Sequence, residues 1–343
     1  SAGYDIKASG MTLDRFCGSG ITTVNLAAAQ IMSGMEDLVI AGGTEMMSFT
    51  ASLADPNKPS MLDGGNLDLR ETHPQSQQGV CADAIATLEG IDRKAVDELA
   101  VESQTRAAKA IQDGRFDNSV IPVKNKDGSI ALDREEFPRP GTTLESLSGL
   151  KTVFSMFRDV VVDEAGNTYG SLITRKYPEI KEFNHVHHAG NSSGVVDGSA
   201  ALLLASPDYA KKHNLKPRAR IVATANMGDC PTLMLNAPVP AAKKVLERAG
   251  LTTDDIDLWE INEAFAVVAE KFIRDLKLDR DKVNVNGGAM ALGHPIGATG
   301  SILIGTLLDE LERQDKKRGL VTMCAAGGMA PAIIIERVDS ITT

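Results

Sequence analysis

The sequence predicts an α/β protein made of two similar halves, with a segment inserted in the first. Three observations carry that expectation. Apolar runs alternate with stretches of helical period near both ends of the chain, the pattern of strands covered by helices. A unit of strand, glycine-rich turn, helix and strand closes on Ala41-Gly42-Gly43 and recurs closing on Ala326-Gly327-Gly328. At 343 residues the chain also exceeds one comfortable core. The expected division is residues 1–43 with 189–210 for the first half, 44–188 for an inserted loop subdomain, and 211–343 for the second half.

Taken in order, Met11–Phe16 reads as a strand, Cys17-Gly18-Ser19-Gly20 as a turn, and ITTVNLAAAQIMSG as a helix stopping at Gly34. Glu36–Gly43 is an apolar strand. Thr44–Asn66 is turn-rich and carries Met46, Met47, Phe49 and Met61, so it reads as a covering loop. From Gln75 the period is helical through VCADAIATLEG and RKAVDELAVESQTRAAKAIQDG. Ser119–Pro140 predicts a small hairpin, Thr142–Phe154 a helix, and VVVDEAGNTYGSL a second hairpin before the connector Tyr177–Phe183. Strands return at Asp197–Ala205 and Ala219–Ala225, followed by a helix at Pro240–Gly250. Asp257–Ile261 is a strand running into Asn262-Glu-Ala-Phe-Ala266 and a helix. Val283–Val285 is a strand leading into GGAMALGHPIGATGS and a helix at Ile302–Arg313. Strands at Gly319–Met323 and Ala332–Glu336 flank the turn that opens on Cys324. Such alternation implies mostly parallel sheets with helices on both faces. Cys17, Asn262, His294 and Cys324 then gather at strand ends, where α/β sites form.

Composition narrows the function. Hydrophobic residues at 43%, charged at 24%, 31 glycines and 4% aromatics describe an α/β enzyme of tight turns. No apolar run is long enough to span a bilayer. The cysteines at 17, 81, 230 and 324 are scattered, which disfavours a disulfide framework or zinc ribbon and fits a reducing compartment. A net charge of −10 argues against a nucleic-acid partner.

The chemistry can be read from four residues. Cys17 lies between a strand end and a helix start, where free N–H groups and the helix dipole favour thiolate, the nucleophilic form. The competing reading is a small buried thiol. His294, in Gly293-His-Pro-Ile-Gly297, is placed to take the thiol proton or bond an oxyanion, though a backbone-bonded helix-start histidine reads the same way. Cys324 is a second thiol for acid–base work, or another buried one. Asn262 orients a water or donates to an oxyanion. One thiol forming a thioester and another moving a proton at carbon suit carbon–carbon bond cleavage or formation. His185-Val-His187-His188 with Cys230 fits no standard metal spacing and reads as solvated loop histidines, so no metal is expected.

The blocks DRFCGSG around Cys17, AGGTEMMS (41–48), AGNSSGVVDGSA (189–200), NEAFA (262–266), GGAMALGHPIGATGS (287–301) and CAAGG (324–328) run across nearly the whole chain. In identity and order they resemble the thiolase family, the acyl-CoA acetyltransferases. The resemblance implies an α/β thiolase fold with mixed sheets, and acyl transfer between acyl-CoA and acetyl-CoA by a ping-pong route, as in fatty-acid β-oxidation. It implies that Cys17 is acylated, that Cys324 is the acid/base at the acetyl-CoA methyl carbon, and that His294 activates Cys17. His294 and a water on Asn262 would stabilise the enolate, and the backbone N–H groups of Cys17 and Ala326 a second oxyanion. Ser193 and Ala189 match positions near the pantetheine; Arg139 and Ser146 match contacts to the nucleotide end of coenzyme A. Coenzyme A, acetyl-CoA and 3-ketoacyl-CoA are implied as substrates, with no tightly bound cofactor, in a cytoplasmic homodimer or homotetramer.

Three departures stand out. The family's first strands and helices are absent before Ser1, so the first half-sheet should be incomplete and the working polypeptide should carry residues ahead of Ser1. Ser155–His187 is longer than the usual link, and Gln77-Gln78-Gly79 stands where many members have His-Met-Gly. The alternatives are a β-ketoacyl synthase-like condensing enzyme, which would need a second histidine in place of Asn262, or an inactive acyl-CoA or lipid-binding relative.

Overall fold

The computed structural model describes residues 3–53 and 61–338. Its strands are β1 (Leu38–Met46), β2 (Val123–Lys124), β3 (Ile130–Leu132), β4 (Asp197–Ala205), β5 (Ala219–Gly228), β6 (Leu258–Ile261), β7 (Arg318–Thr322) and β8 (Met329–Arg337). The longer helices are α1 (Ser19–Met32), α2 (Gln78–Glu89), α3 (Arg93–Gln112), α4 (Pro238–Ala249), α5 (Ala266–Leu276) and α6 (Ile296–Arg313). β1 and β4 pair antiparallel, β2 and β3 form a small hairpin, and the larger sheet runs β5–β8–β7–β6.

The inner strands of the larger sheet, β6, β7 and β8, are buried on both faces and largely apolar, while the edge strand β5 is half-buried. Val321, Ile333 and Ile335 face α1 and α6, meeting Ile21, Val24, Leu307 and Leu311. Trp259, Leu320 and Ile334 face the other way, toward Ile85, Val267 and Phe272. Each such fully buried side chain contributes roughly 1.5–3 kcal/mol. α1 and α6 lie between the two sheets, and the small sheet leaves Ile40 and Leu203 exposed on its far face.

Two close approaches explain glycines in the motifs. A Cβ on Gly300 would stand 2.2 Å from the backbone nitrogen of Ile21, and one on Gly20 would stand 2.8 Å from that of Ser301. Only glycine lets the starts of α1 and α6 meet there. A Cβ on Gly43 would fall 1.8 Å from the carbonyl oxygen of Gly297, so β1 needs a bare backbone where the start of α6 rests on it.

Several expectations are corrected. The sheets are not mostly parallel: among the described strands only β6 and β7 pair that way, while β1–β4, β2–β3, β5–β8 and β7–β8 are antiparallel. Connection length accounts for β7 and β8, which are joined by a short turn, and for β6 and β7, whose link carries α5 and α6 and allows a parallel crossover. Gly42 and Gly43 lie inside β1, whereas Gly327 and Gly328 make the β7–β8 turn with φ of 81° and 79°. Met11–Phe16 forms no strand, having only an Arg15–Cys17 bridge and, among the described residues, no neighbouring strand to complete a ladder. The covering loop contains a helix at Met47–Leu53, and its residues 54–60 lie outside the described residues. Thr142–Phe154 is helical only at Leu144–Ser148. The second hairpin reduces to a Val161–Thr168 bridge, because Thr168 and Ser171 form a capping box that starts a helix at Tyr169–Lys176. Val283–Val285 makes isolated bridges only, and α6 begins at Ile296, directly after Pro295.

Candidate active site

The start of α1, the end of β6, the segment before α6 and the β7–β8 turn converge. Cys17 is 6% exposed, and its sulfur is within hydrogen-bond reach of the backbone N–H groups of Cys17 itself and Ala326. Burial pushes the thiol up to about 11; the two N–H groups pull it down, and Glu45 and Asp14 add to the rise. This corrects the expectation that the helix start leaves Cys17 as thiolate. Removing the sulfur from water outweighs the dipole and the N–H donors. Cys324 is also buried and is pushed well above the ordinary thiol range, first by burial and then by the neighbouring Cys17.

His294 is fixed at both ends. Its N–H donates to the Gly194 carbonyl at 2.9 Å, and its Nδ1 lies 2.6 Å from Thr299 Oγ1. The Thr299 hydroxyl donates to the Pro295 carbonyl at 3.0 Å, so toward His294 it accepts. The proton therefore sits on Nδ1 and the lone pair on Nε2. Burial lowers the pKa of His294 to about 4, which keeps the ring neutral near pH 7. Nε2 faces Asn262 Nδ2 at 3.4 Å, and the buried Asn262 Oδ1 has no protein partner, which suits an amide that holds a water.

The residues matched to coenzyme A contacts are spread more widely. Ser193 lies against the NEAFA block, its N–H donating to the Ala264 carbonyl at 3.0 Å, and Ala189 opens the turn Ala189–Asn191 nearby. Arg139 is exposed on the inserted segment, its guanidinium 5.9 Å from the Phe137 ring centre. Ser146 is exposed too, but its hydroxyl is engaged with the backbone of Thr143 in a capping box.

The histidine run is not solvated, which corrects that expectation. Asp83 receives Nδ1 of His185 at 2.6 Å and Nδ1 of His187 at 2.7 Å, and His188 Nε2 meets Asp97 at 2.7 Å. Burial alone would raise Asp83, but the two histidine hydrogen bonds outweigh it and hold the carboxyl below its usual range. Cys230 Sγ accepts from the Tyr177 hydroxyl at 3.0 Å.

Sequence reasoning missed the residues that orient the site. Thr299 stands in the GHPIGATGS block, so its place after His294 was a usable signal. Glu45, in GGTEMMS, accepts the Gly297 N–H at 3.0 Å and caps the start of α6. Ser103, Gln104 and Glu263 bind the catalytic segments from below. Ser103 and Gln104 carried no signal, because they look like ordinary positions on an amphipathic helix.

Comparison with known proteins identifies the family. The family profile of the thiolase N-terminal domain matches residues 1–167, and that of the thiolase C-terminal domain matches residues 215–337. An acetyl-CoA acetyltransferase of Cupriavidus necator is 40% identical over 347 residues, covering 98% of this chain and 81% of its own. The crystal structure of human mitochondrial 3-ketoacyl-CoA thiolase in complex with CoA superposes with a TM-score of 0.78 at 34% identity, covering 95% of this chain and 77% of that one. The dimeric peroxisomal thiolase of Saccharomyces cerevisiae gives a TM-score of 0.80 at 36% identity, covering 95% and 76%.

Proposed function

The chain belongs to the thiolase family and is an acyltransferase, and from that premise we propose that its reaction runs through an acyl-Cys17 thioester. In the cleavage direction, His294 Nε2 takes the Cys17 proton and the sulfur attacks the 3-keto carbon of a 3-ketoacyl-CoA. The C2–C3 bond breaks, its electron pair passing into the enolate of acetyl-CoA. Cys324 gives its proton to that carbon, and acetyl-CoA leaves. The Cys324 thiolate then takes the proton of the coenzyme A thiol, whose sulfur attacks the thioester. The bond from the acyl carbon to Cys17 breaks, a shortened acyl-CoA leaves, and the Cys17 sulfur takes back the proton held on His294. Condensation is the same sequence reversed.

Oxyanions form twice, and two sets of donors suit them. The Cys17 and Ala326 N–H groups lie at the Cys17 sulfur, beside the place where the carbonyl oxygen of an acyl group on that sulfur would become the tetrahedral oxyanion. Protonated His294 and a water held by Asn262 serve the enolate oxygen. Charge then exists only while substrate is bound, which fits two thiols and an imidazole that are all neutral at rest.

Residues 44–188 would form the subdomain that covers substrate, between the half formed by 1–43 with 189–210 and the half at 211–343. Arg139 and Ser146 would meet the nucleotide end of coenzyme A, and Ser193 and Ala189 the pantetheine. For Ser146 this requires the capping hydroxyl to be shared. Coenzyme A is a substrate here, with no resident cofactor proposed. Among the described residues no helix is long and apolar enough to cross a membrane. The scattered free cysteines support a reducing, cytoplasmic location, and the assembly would be a homodimer, as in the dimeric yeast relative, or a homotetramer.

The observation that carries it is the pair of neighbouring buried thiols, Cys17 and Cys324, together with a buried histidine that faces Asn262 and whose Nε2 lone pair is fixed by Thr299. Intact-protein mass spectrometry after acetoacetyl-CoA should find an acetyl group on Cys17 in the wild type and none in Cys17→Ser. In Cys324→Ala that adduct should form from acetyl-CoA, while deuterium exchange into the acetyl methyl disappears. Exchange that survives in Cys324→Ala removes Cys324 from the carbon acid/base role.

A further inference from the structure

Within the inserted segment, α3 meets both the stretch carrying Arg139 and the loops of the site, and two consecutive side chains on it, Ser103 and Gln104, are buried and hydrogen-bonded. Gln104, 5% exposed, accepts the backbone N–H of Arg139 on Oε1 at 2.7 Å. Through Nε2 it donates to the carbonyl of Met290 at 3.1 Å. Met290 lies in the short helix Ala289–Leu292, which runs directly into Gly293 and His294. Ser103 accepts the Gly288 N–H at 3.0 Å and donates to Glu263 Oε2 at 2.6 Å. Glu263 also accepts the Met290 N–H at 3.2 Å, and it directly follows Asn262.

The segment that delivers His294 is thus held at three backbone groups by α3 and Glu263, and one of those holders is tied to the Arg139 arm. A buried amide bonded at both ends cannot turn toward one partner without breaking the other contact, and an unmade buried bond is costly. The arm ends in an exposed arginine, while the loop ends in the buried imidazole of the site.

We propose that Gln104 is a positioning residue that couples the arm bearing Arg139 to the loop bearing His294. Seating the nucleotide end of coenzyme A on that arm then tightens the placement of His294 and Asn262 around the reacting carbon. This rests on the reading of Arg139 as a nucleotide contact and of His294 and Asn262 as oxyanion groups. Binding energy gained far from the reacting sulfur is then realised as orientation in the transition state, so it appears in kcat rather than in KM alone.

The test compares thiolysis of acetoacetyl-CoA by CoA with thiolysis of acetoacetyl-pantetheine by pantetheine, which lack the nucleotide. The wild type should turn over the CoA pair with a kcat on the order of tenfold higher. Gln104→Met keeps the length and removes both hydrogen bonds. Its kcat on the CoA pair should fall roughly tenfold, while kcat on the pantetheine pair changes less than about twofold. Gln104→Glu keeps the acceptor toward Arg139 and loses the donor toward Met290; it should show the same selective loss, and it decides the matter if the methionine variant does not fold. Equal losses on both pairs would make Gln104 a local support only, and overturn the coupling. So would no loss on either pair, or equal wild-type kcat on both. A wild type inactive on both pairs would instead overturn the thiolase chemistry itself.

Discussion

At the scale of single residues, the site is set by who holds whose proton. Thr299 spends its hydroxyl hydrogen on the Pro295 carbonyl, and this fixes which nitrogen of His294 is free. Thr299→Val removes that constraint without a change in shape. Acyl transfer should fall on the order of 10²-fold, with Thr299→Ser restoring most of it, as measured by kcat for acetoacetyl-CoA thiolysis. Of the four proposed site residues, Cys17, His294 and Cys324 were legible in the sequence because each stands beside glycines in a block of its own, and Asn262 because it opens NEAFA at the end of a strand. Their charge state was not legible. The local rule for a cysteine at a helix start gives thiolate, and only the surrounding protein, which buries Cys17, reverses it.

At the scale of elements, the close approach of α1 and α6 brings together the helix starts that follow Cys17 and His294. Gly300→Ala puts a methyl group against the backbone of Ile21, where neither side can yield easily. Overpacking of this kind costs about 1–3 kcal/mol. Because both helix starts move, kcat should fall further than the lower melting temperature alone would suggest; a loss of stability with kcat intact would contradict the shared role of this close approach. Strands and helices of the second half were readable from their period. The helix at Tyr169–Lys176 was not, since it is short and its capping box interrupts what looks like a hairpin. The histidine run was misread for a related reason: Asp83, its partner, is remote in sequence, on α2. Asp83→Asn leaves two histidines without their carboxylate and should destabilise the fold by about 3–5 kcal/mol in urea denaturation.

At the scale of the whole molecule, the buried histidine makes stability depend on pH. Folding holds His294 at a pKa of about 4 against an ordinary 6.5. Between those values the unfolded chain binds more protons than the folded one, so stability falls as the pH drops through that window and is intact above it. The full effect is about 3 kcal/mol, and about 2 kcal/mol is reached by pH 5. Urea denaturation at pH 7 and pH 5 should show a smaller loss for His294→Gln than for the wild type. Layer order was only partly legible at this scale. Alternation of strands and helices announces an α/β protein, but strand direction depends on connection length, and the short β7–β8 turn overrides the pattern.

The burial of Cys17 also decides which thiol stray electrophiles will find. Burial pushes Cys230 up, but the Tyr177 hydroxyl and the N–H groups of Leu233 and Thr232 outweigh it and hold this half-exposed thiol below its ordinary value. A small reagent such as iodoacetamide should therefore alkylate Cys230 well before Cys17, as peptide mapping over a time course would reveal; Cys17 labelled first would contradict it. An electrophile carried on coenzyme A should reverse that order. The resting nucleophile is thereby shielded from general chemical damage, and its reactivity is reserved for molecules that arrive with the right handle.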